Sequence, residues 1–299
     1  MSIKHRAGFV NFIGMPNSGK STLVNAIMGQ KMSIVSPKPQ TTRQRVFSIW
    51  NDEHFQIIFS DLPGWIDQAK YTMHKLMNNM VNESEEDADL LLIIDDPTQK
   101  YSFSESLIEK INQSKLPKIF IINKIDKLNK FQIEKEIANL NLLFGIAEPF
   151  LISALAGSGV DELKNKILEL IPEHEAYYPK DYISDKPIRF FIAELIREQI
   201  LASFEEEIPY SVFIEVDSCV GVDEQAELAR IEATVYVNRK SQVSIILGKN
   251  GAKIKELGTK SRIELEKYLQ QRVYLGLSVK VKENWRDDKS LIEKRGILR

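Results

Sequence analysis

Runs of consecutive apolar residues alternate with segments of helical period through the first 172 positions. GFVNFIG (8–14) predicts a strand, and STLVNAIMG (21–29) a helix that closes on Gly29. VFSIWNDEHFQIIFSD (46–61) predicts a hairpin turning at NDEH. DLLLIID (89–95), KIFIINK (118–124) and PFLISAL (149–155) predict three further strands, with helices near 102–114, 130–143 and 160–171. Strands apolar along their whole length are buried on both faces, so the pattern implies an α/β domain built on a mostly parallel six-stranded sheet. The hairpin supplies one antiparallel edge.

The pattern changes at 172–187. HEAYYPKDYISDKP (174–187) carries two prolines and no period, and reads as a linker. Beyond it a helix is expected over 188–203, then strands near 210–219 and 230–238. A short helix reaches GKNG (248–251), a longer one covers 252–270, and VYLGLSVKV (273–281) makes a last strand. The expected organisation is a first domain over 1–173, a linker over 174–187 and an α+β domain of order α-β-β-α-α-β over 188–299.

Composition leaves this picture intact: 43% hydrophobic and 27% charged residues in 299 positions suffice for two buried cores. No apolar run approaches the ~18 residues of a membrane helix. MSIKHRAGFVNFIGM begins like a signal peptide, but its apolar run ends in a phosphate-loop pattern, so it reads as mature protein. The single cysteine, Cys219, excludes an internal disulfide framework and fits a reducing cytoplasm. Charge adds something new. Residues 239–286 hold twelve Lys or Arg against four Glu, a local +8 inside a chain of net −2. Such a stretch suggests a polyanionic partner.

The candidate chemistry begins at GMPNSGKS (14–21), which matches G-x-x-x-x-G-K-[ST] between a strand and a helix. Small residues let the backbone wrap a β-phosphate, with N–H groups converging at the helix N-terminus. Asn17, Ser18, Gly19, Lys20, Ser21 and Thr22 form the expected phosphate site; Lys20 reaches the β- and γ-phosphates and Ser21 offers a hydroxyl to Mg²⁺. DLPG (61–64) follows an apolar strand, where Asp61 can hold Mg²⁺ through water and Gly64 can lend its N–H to the γ-phosphate. NKID (123–126) follows another strand; the carboxylate of Asp126 can accept from N1–H and the 2-amino group of guanine, a pair adenine lacks. Asn123, Lys124, Ser153 and Ala154 complete the expected base pocket, with the Ala154 N–H directed at the guanine oxygen.

In order, and each at the C-terminal end of a strand, these four pieces resemble the G1, G3, G4 and G5 motifs of the translation-factor class of GTPases. The resemblance puts PKPQTTRQR (37–45) in the position of switch I, with Thr42 as Mg²⁺ ligand; Thr41 is adjacent and chemically equivalent. Lys20, Thr42 and Gly64 are then the expected catalytic groups, and Ser21, Thr42 and Asp61 the metal site. Asn17 matches the asparagine with which related GTPases hold K⁺ near the phosphates. Trp65 stands where Ras-like enzymes carry a glutamine that orients water, which implies slow unassisted hydrolysis.

The basic stretch contains the other motif. Gly248-Lys249-Asn250-Gly251 between two helices, in α-β-β-α-α-β order, matches the G-x-x-G loop of a type II KH fold, which clamps single-stranded nucleic acid. The expected RNA-facing residues are Ile245, Ile246, Gly248, Lys249, Asn250, Gly251, Lys253 and Arg262, the isoleucines forming an apolar floor for bases.

The pairing of the two domains resembles the Era family of bacterial GTPases, on GMPNSGKST, QTTRQR, DLPG, NKID, YYPKDYISDKPIRFFIAELIRE, IPYSVFIEV, ILGKNGAKIKELG and VKVKENWRDD. That resemblance implies a monomeric, Mg²⁺-dependent GTPase that binds the 3′ end of small-subunit (16S) ribosomal RNA and assists 30S assembly. It also implies a cytoplasmic protein with peripheral association at the inner membrane. Two other readings are an RNA-binding scaffold with an idle nucleotide site, and a GTPase serving RNA modification. The second would need further catalytic residues, and His5, His54, His74, His174 and Cys219 are scattered without metal spacing.

Overall fold

A computed structural model describes residues 5–66, 69–83, 87–99, 103–222 and 226–294. Of the expected elements, positions 1–4 and 295–299 of the domains and position 102 of a helix lie outside the described residues. The chain divides into two compact units. One takes in the chain up to Ser33, Thr42–Lys70 and His74–Asp185; the other takes in Ile34–Thr41, Tyr71–Met73 and the chain from Lys186 onward.

The first unit is built on β1 (Arg6–Ile13), β2 (Val46–Asn51), β3 (Phe55–Asp61), β4 (Leu90–Asp95), β5 (Lys118–Ile122) and β6 (Phe150–Leu151), in the order β2-β3-β1-β4-β5-β6. Every pairing is parallel except β2 with β3, the predicted hairpin. All six residues of β4 are buried, the signature of a central strand covered on both faces. The helices are α1 (Lys20–Met28), α2 (Thr72–Glu83, of this unit from His74), α3 (Glu105–Gln113), α4 (Lys130–Phe144) and α5 (Val160–Leu170). Asn129 and Gln132 cap α4 reciprocally at 2.9 Å each. Leu107 and Ile111 of α3 and Leu140 of α4 close one face of the sheet over Leu91, Ile93 and Ile122.

Three expectations need correction here. PFLISAL pairs only through Phe150–Leu151; beyond it the chain turns back, Ser153 N–H bonding the Ser158 carbonyl, through Gly157 (φ +77) and Gly159 (φ +74). Helix α2 was not expected, although its buried Met73, Met77 and Val81 recur at the i, i+4, i+8 spacing of one helical face. The expected linker is not a free tether up to Asp185. Ile183 accepts from Ile49 N–H at 2.9 Å, Tyr182 from Asn51 Nδ2 at 2.7 Å, and Tyr178 from Gln56 Nε2 at 2.8 Å. The segment runs along β2 as an irregular extra strand.

In the second unit β7 (Val212–Val220), β8 (Leu228–Val237) and β9 (Arg272–Val281) form a sheet of that order, with β7 antiparallel and β9 parallel to β8. Helices α6 (Ile188–Ser203), α7 (Lys240–Leu247) and α8 (Ala252–Leu269) follow the predicted order. Ile192, Leu195 and Ile196 of α6 meet Leu265 of α8 over Ile231 and Ala233. Residues 34–41 of this unit are fastened to α6: Lys38 Nζ donates to the Leu201 and Phe204 carbonyls, and Val35 N–H to Glu198 Oε1. A last short helix, α9 (Lys289–Lys294), follows the fully buried Trp285, whose indole N–H donates to the Ser211 carbonyl at 3.0 Å.

Candidate functional site

The phosphate loop runs from the end of β1 into α1, so the first N–H groups of that helix lack intrahelical partners and form an anion site. Glycine is required at Gly19: its φ is +98, and a Cβ there would meet Asn123 Nδ2 at 2.2 Å. Lys20 is buried, and its ammonium donates to the carbonyls of Gly14 (3.0 Å) and Met15 (2.9 Å). Burial lowers its pKa to about 8, against the opposing pull of Asp61.

Ser21 Oγ and Thr42 Oγ1 lie 2.8 Å apart. Thr41 instead donates its hydroxyl to the Lys38 carbonyl at 2.6 Å, so Thr42 is the threonine beside the phosphate loop. Asp61 is fully buried, and neither carboxylate oxygen closes a hydrogen bond of ordinary geometry. Burial raises its pKa, while the hydroxyls of Ser33 and Ser21, the Lys20 ammonium and the Thr42 hydroxyl oppose the rise. Two hydroxyls and a buried carboxylate in want of partners make an all-oxygen donor set suited to a hard divalent cation such as Mg²⁺, which keeps several waters of its own. Ser33, unnoticed in the sequence, belongs to this group. Trp65 donates its indole N–H to Ser106 Oγ at 3.1 Å, with the Lys110 ammonium 5.8 Å from its ring centre; it packs against α3.

The loops after β5 and β6 meet the phosphate loop around Asn123. Its Nδ2 donates to the Ser18 carbonyl at 2.9 Å, and its Oδ1 accepts from Lys124 N–H at 2.8 Å and Ala154 N–H at 3.0 Å. Asn123 is thus a buried brace between loops, and the Ala154 N–H bonds its Oδ1. An amide nitrogen carries two hydrogens, so the bond to Ser18 does not exclude Asn123 from contact with a base. Ser153 Oγ donates to Asp126 Oδ1 at 2.5 Å, so it orients that exposed carboxylate. Lys124, at φ +61, donates its ammonium to the Asn17 carbonyl at 2.8 Å, bridging the base loop and the phosphate loop.

In the second unit Lys249–Gly251 make a single tight turn between α7 and α8, with Gly248, Asn250 and Gly251 at φ +69, +52 and +76. Lys249 and Asn250 are exposed at its tip. A Cβ on Gly248 would meet Lys253 Cγ at 2.7 Å. Lys253 thus lays its stem beneath the turn, and its ammonium sits 5.8 Å from the Phe204 ring centre. Lys253 is nevertheless exposed beside the turn, as the expectation of an RNA-facing side chain requires. Ile246 is corrected: it is fully buried in the core with Val235 and Leu257, whereas Ile245 is 44% exposed. Arg262 Nη1 donates to both carboxylate oxygens of Glu266 at 2.8 Å. It borders a groove of about 330 Å³ between α8 and β9, lined also by Ile254, Lys255, Gly258, Thr259, Leu275 and Leu277. Apart from Arg262 these residues were missed. Their signal is Gly258 inside a helix, where a Cβ would find only Leu277 Cδ1, at 3.8 Å.

Among the described residues no three His, Cys, Asp or Glu side chains cluster for a metal, and no helix is long and apolar enough to cross a membrane. Residues 9–124 match the family described as 50S ribosome-binding GTPase, and residues 207–286 match the KH domain. GTPase ERA1, chloroplastic, of Zea mays is 39% identical over 295 residues, covering 98% of this chain and 70% of its own. GTPase Era of Thermoanaerobacter sp. (strain X514) is 38% identical over 293 residues, covering 98% and 96%. Among solved structures, Era in complex with MgGDPNP and nucleotides 1506–1542 of 16S ribosomal RNA matches with a TM-score of 0.90 at 35% identity, covering 99% of this chain and 100% of that one. An Aquifex aeolicus Era variant bound to GDP.AlF4- matches with the same TM-score and identity, covering 98% and 100%.

Proposed function

The chain belongs to the Era family of GTPases, and from that membership we propose that it is a switch which binds the 3′ end of 16S ribosomal RNA and assists 30S assembly. The observation that carries this reading is the likeness, along the whole chain, to Era in complex with MgGDPNP and a 16S ribosomal RNA fragment.

The reaction is hydrolysis of GTP to GDP and phosphate. Catalysis of phosphoryl transfer is mostly positioning and electrostatic stabilisation. The N–H groups opening α1 and the Lys20 ammonium receive the phosphate charge. Ser21, Thr42 and Asp61 would hold Mg²⁺, which neutralises that charge when bound. The γ-phosphate draws Thr42 and Gly64 inward, ordering both switch segments. Trp65 has no acceptor with which to orient water, so unassisted hydrolysis runs at or below about 10⁻³ s⁻¹. Single-turnover cleavage at several per second would contradict this. K⁺ beside Asn17 belongs to the same reading; equal rates in Na⁺ and K⁺ buffers would remove it.

RNA enters the groove between α8 and β9, its backbone against Gly248–Gly251. The coupling is reciprocal: GTP and RNA tighten each other by one factor. The protein works as a cytoplasmic monomer, and its contact with the inner membrane is peripheral. The deciding experiment measures binding of a labelled oligonucleotide from the 3′ end of 16S ribosomal RNA, with a GTP analogue or GDP present. Tighter binding with the analogue, and competition by that sequence over a scrambled one, are expected. Equal affinity for both sequences would overturn the RNA assignment, and equal affinity in both nucleotide states the switch.

A further inference from the structure

The loop after β4 buries an acid that neither the phosphate chemistry nor the reading of guanine calls for. Asp96 is 2% exposed. Its Oδ1 accepts from Thr98 N–H (3.1 Å) and Thr98 Oγ1 (2.6 Å), an ordinary loop-forming pattern. Its Oδ2 does something else. It accepts the Lys124 ammonium at 2.5 Å and Gln99 Nε2 at 2.9 Å. Each of these donors also binds the phosphate loop: Lys124 Nζ the Asn17 carbonyl at 2.8 Å, Gln99 Nε2 the Pro16 carbonyl at 3.1 Å.

A lone buried carboxylate is costly, and so is an ammonium withdrawn from water; together they offset each other only when further hydrogen bonds complete the pair. Both are completed here. Burial pushes the Asp96 carboxyl up, but the bonds from Lys124, Thr98 and Gln99 outweigh it and hold the group below the ordinary carboxylate range. The pair therefore persists at neutral pH. The geometry has a second consequence. Across a planar trans peptide the N–H points opposite to the preceding carbonyl. Anchoring the Pro16 carbonyl to Gln99 thus turns the Asn17 N–H to the other face of the loop.

We propose that Asp96 is a positioning residue which clamps Lys124 and the phosphate loop into one pre-formed cradle and so sets how long a guanine nucleotide stays bound. The proposal rests on Lys124 belonging to the nucleotide pocket. A clamp of this kind acts on release, because the cradle opens only when the charged hydrogen bond to Asp96 breaks.

The test follows the release of a fluorescent GDP from the full chain on mixing with excess GDP. Asp96→Asn keeps the size and loses the charge, and is expected to speed release about tenfold or more, the scale of one charge-assisted hydrogen bond. Thr98→Ala disturbs only the Oδ1 side and is expected to stay within about twofold. In a Lys124→Met background the effect of Asp96→Asn should vanish, which a merely structural loop residue would not do. Release from Asp96→Asn within twofold of the parent, equal acceleration by Thr98→Ala, or an undiminished effect in the Lys124→Met background would each overturn the clamp. Should Asp96→Asn not fold, Asp96→Ser, which can still accept from Thr98, takes its place with the same thresholds. If Lys124→Met alone leaves release unchanged, the pocket assignment fails instead, a distinct outcome.

Discussion

A Cβ placed on Gly64 would lie 2.7 Å from the Cα of Pro16, so the turn after β3 rests backbone against backbone on the phosphate loop. No rotamer change relieves an overlap with main chain. Gly64→Ala should therefore cost about 1–3 kcal/mol of stability, the usual scale for overpacking. It should also weaken a GTP analogue more than GDP, since only the γ-phosphate draws on this turn. Calorimetric titration with both nucleotides checks the difference; equal losses would mean that Gly64 serves packing alone.

Asp126 is exposed and oriented by Ser153 at 2.5 Å. Replacing it with asparagine inverts part of the donor–acceptor pattern facing the base. Asp126→Asn should lower affinity for GTP by about a hundredfold or more, since an unmatched polar pair is heavily penalised. Affinity for xanthosine triphosphate should rise. Competition between the two nucleotides for the variant reads the change directly.

Lys249 stands exposed at the tip of the turn between α7 and α8. Lys249→Glu should weaken RNA binding and flatten the plot of log affinity against log salt by about 0.7, the slope that one neutralised phosphate of a single strand carries. GTP binding should not change. Lys253→Ala should do two things at once: its stem packs against Gly248 and the residue is exposed beside the turn, so it should lower stability and also flatten the salt slope.

The Lys20 ammonium has a folded pKa of about 8, lowered by burial from 10.5. The folded chain without nucleotide thus sheds this proton before the unfolded chain does. Below pH 8 the buried charge costs about 3 kcal/mol of stability, and that cost fades as pH rises from about 8 towards 10.5. Nucleotide phosphates require the charged form, so GDP affinity should fall by up to about tenfold per pH unit across the same window. Denaturant melts of the chain without nucleotide and GDP titrations from pH 7 to 10 test both signs. Lys20→Met should abolish both dependences.

Much of this was legible wherever a motif has to satisfy a covalent or steric rule. GMPNSGKS between a strand and a helix needs its glycines for close approach, and Gly19 meets that need against Asn123. The type II order of the second unit followed from helical and strand periods over 188–281 and matched element by element. What stayed hidden were relations that no local pattern encodes. The bracing role of Asn123 has no local sign, because its partners Ser18 and Ala154 are distant in sequence. Ile246 and Ile245 are chemically identical neighbours, and only the rotation of α7 sends one into the core and the other to the surface. Residues 174–185 look like a tether because backbone hydrogen bonding to β2 leaves no trace in side-chain type.

That last segment bears on how the protein behaves at high concentration. An outer strand with unsatisfied amides invites another copy to pair with it. Here Ile183 occupies the Ile49 amide and Asp185 Oδ1 the Phe47 amide, while β6, at the opposite margin, is only two residues long. Neither margin of the six-stranded sheet is left as a long template, which protects against polymerisation through strand addition. Truncation before residue 182 would remove that guard and should turn a clear solution into one that scatters light on standing.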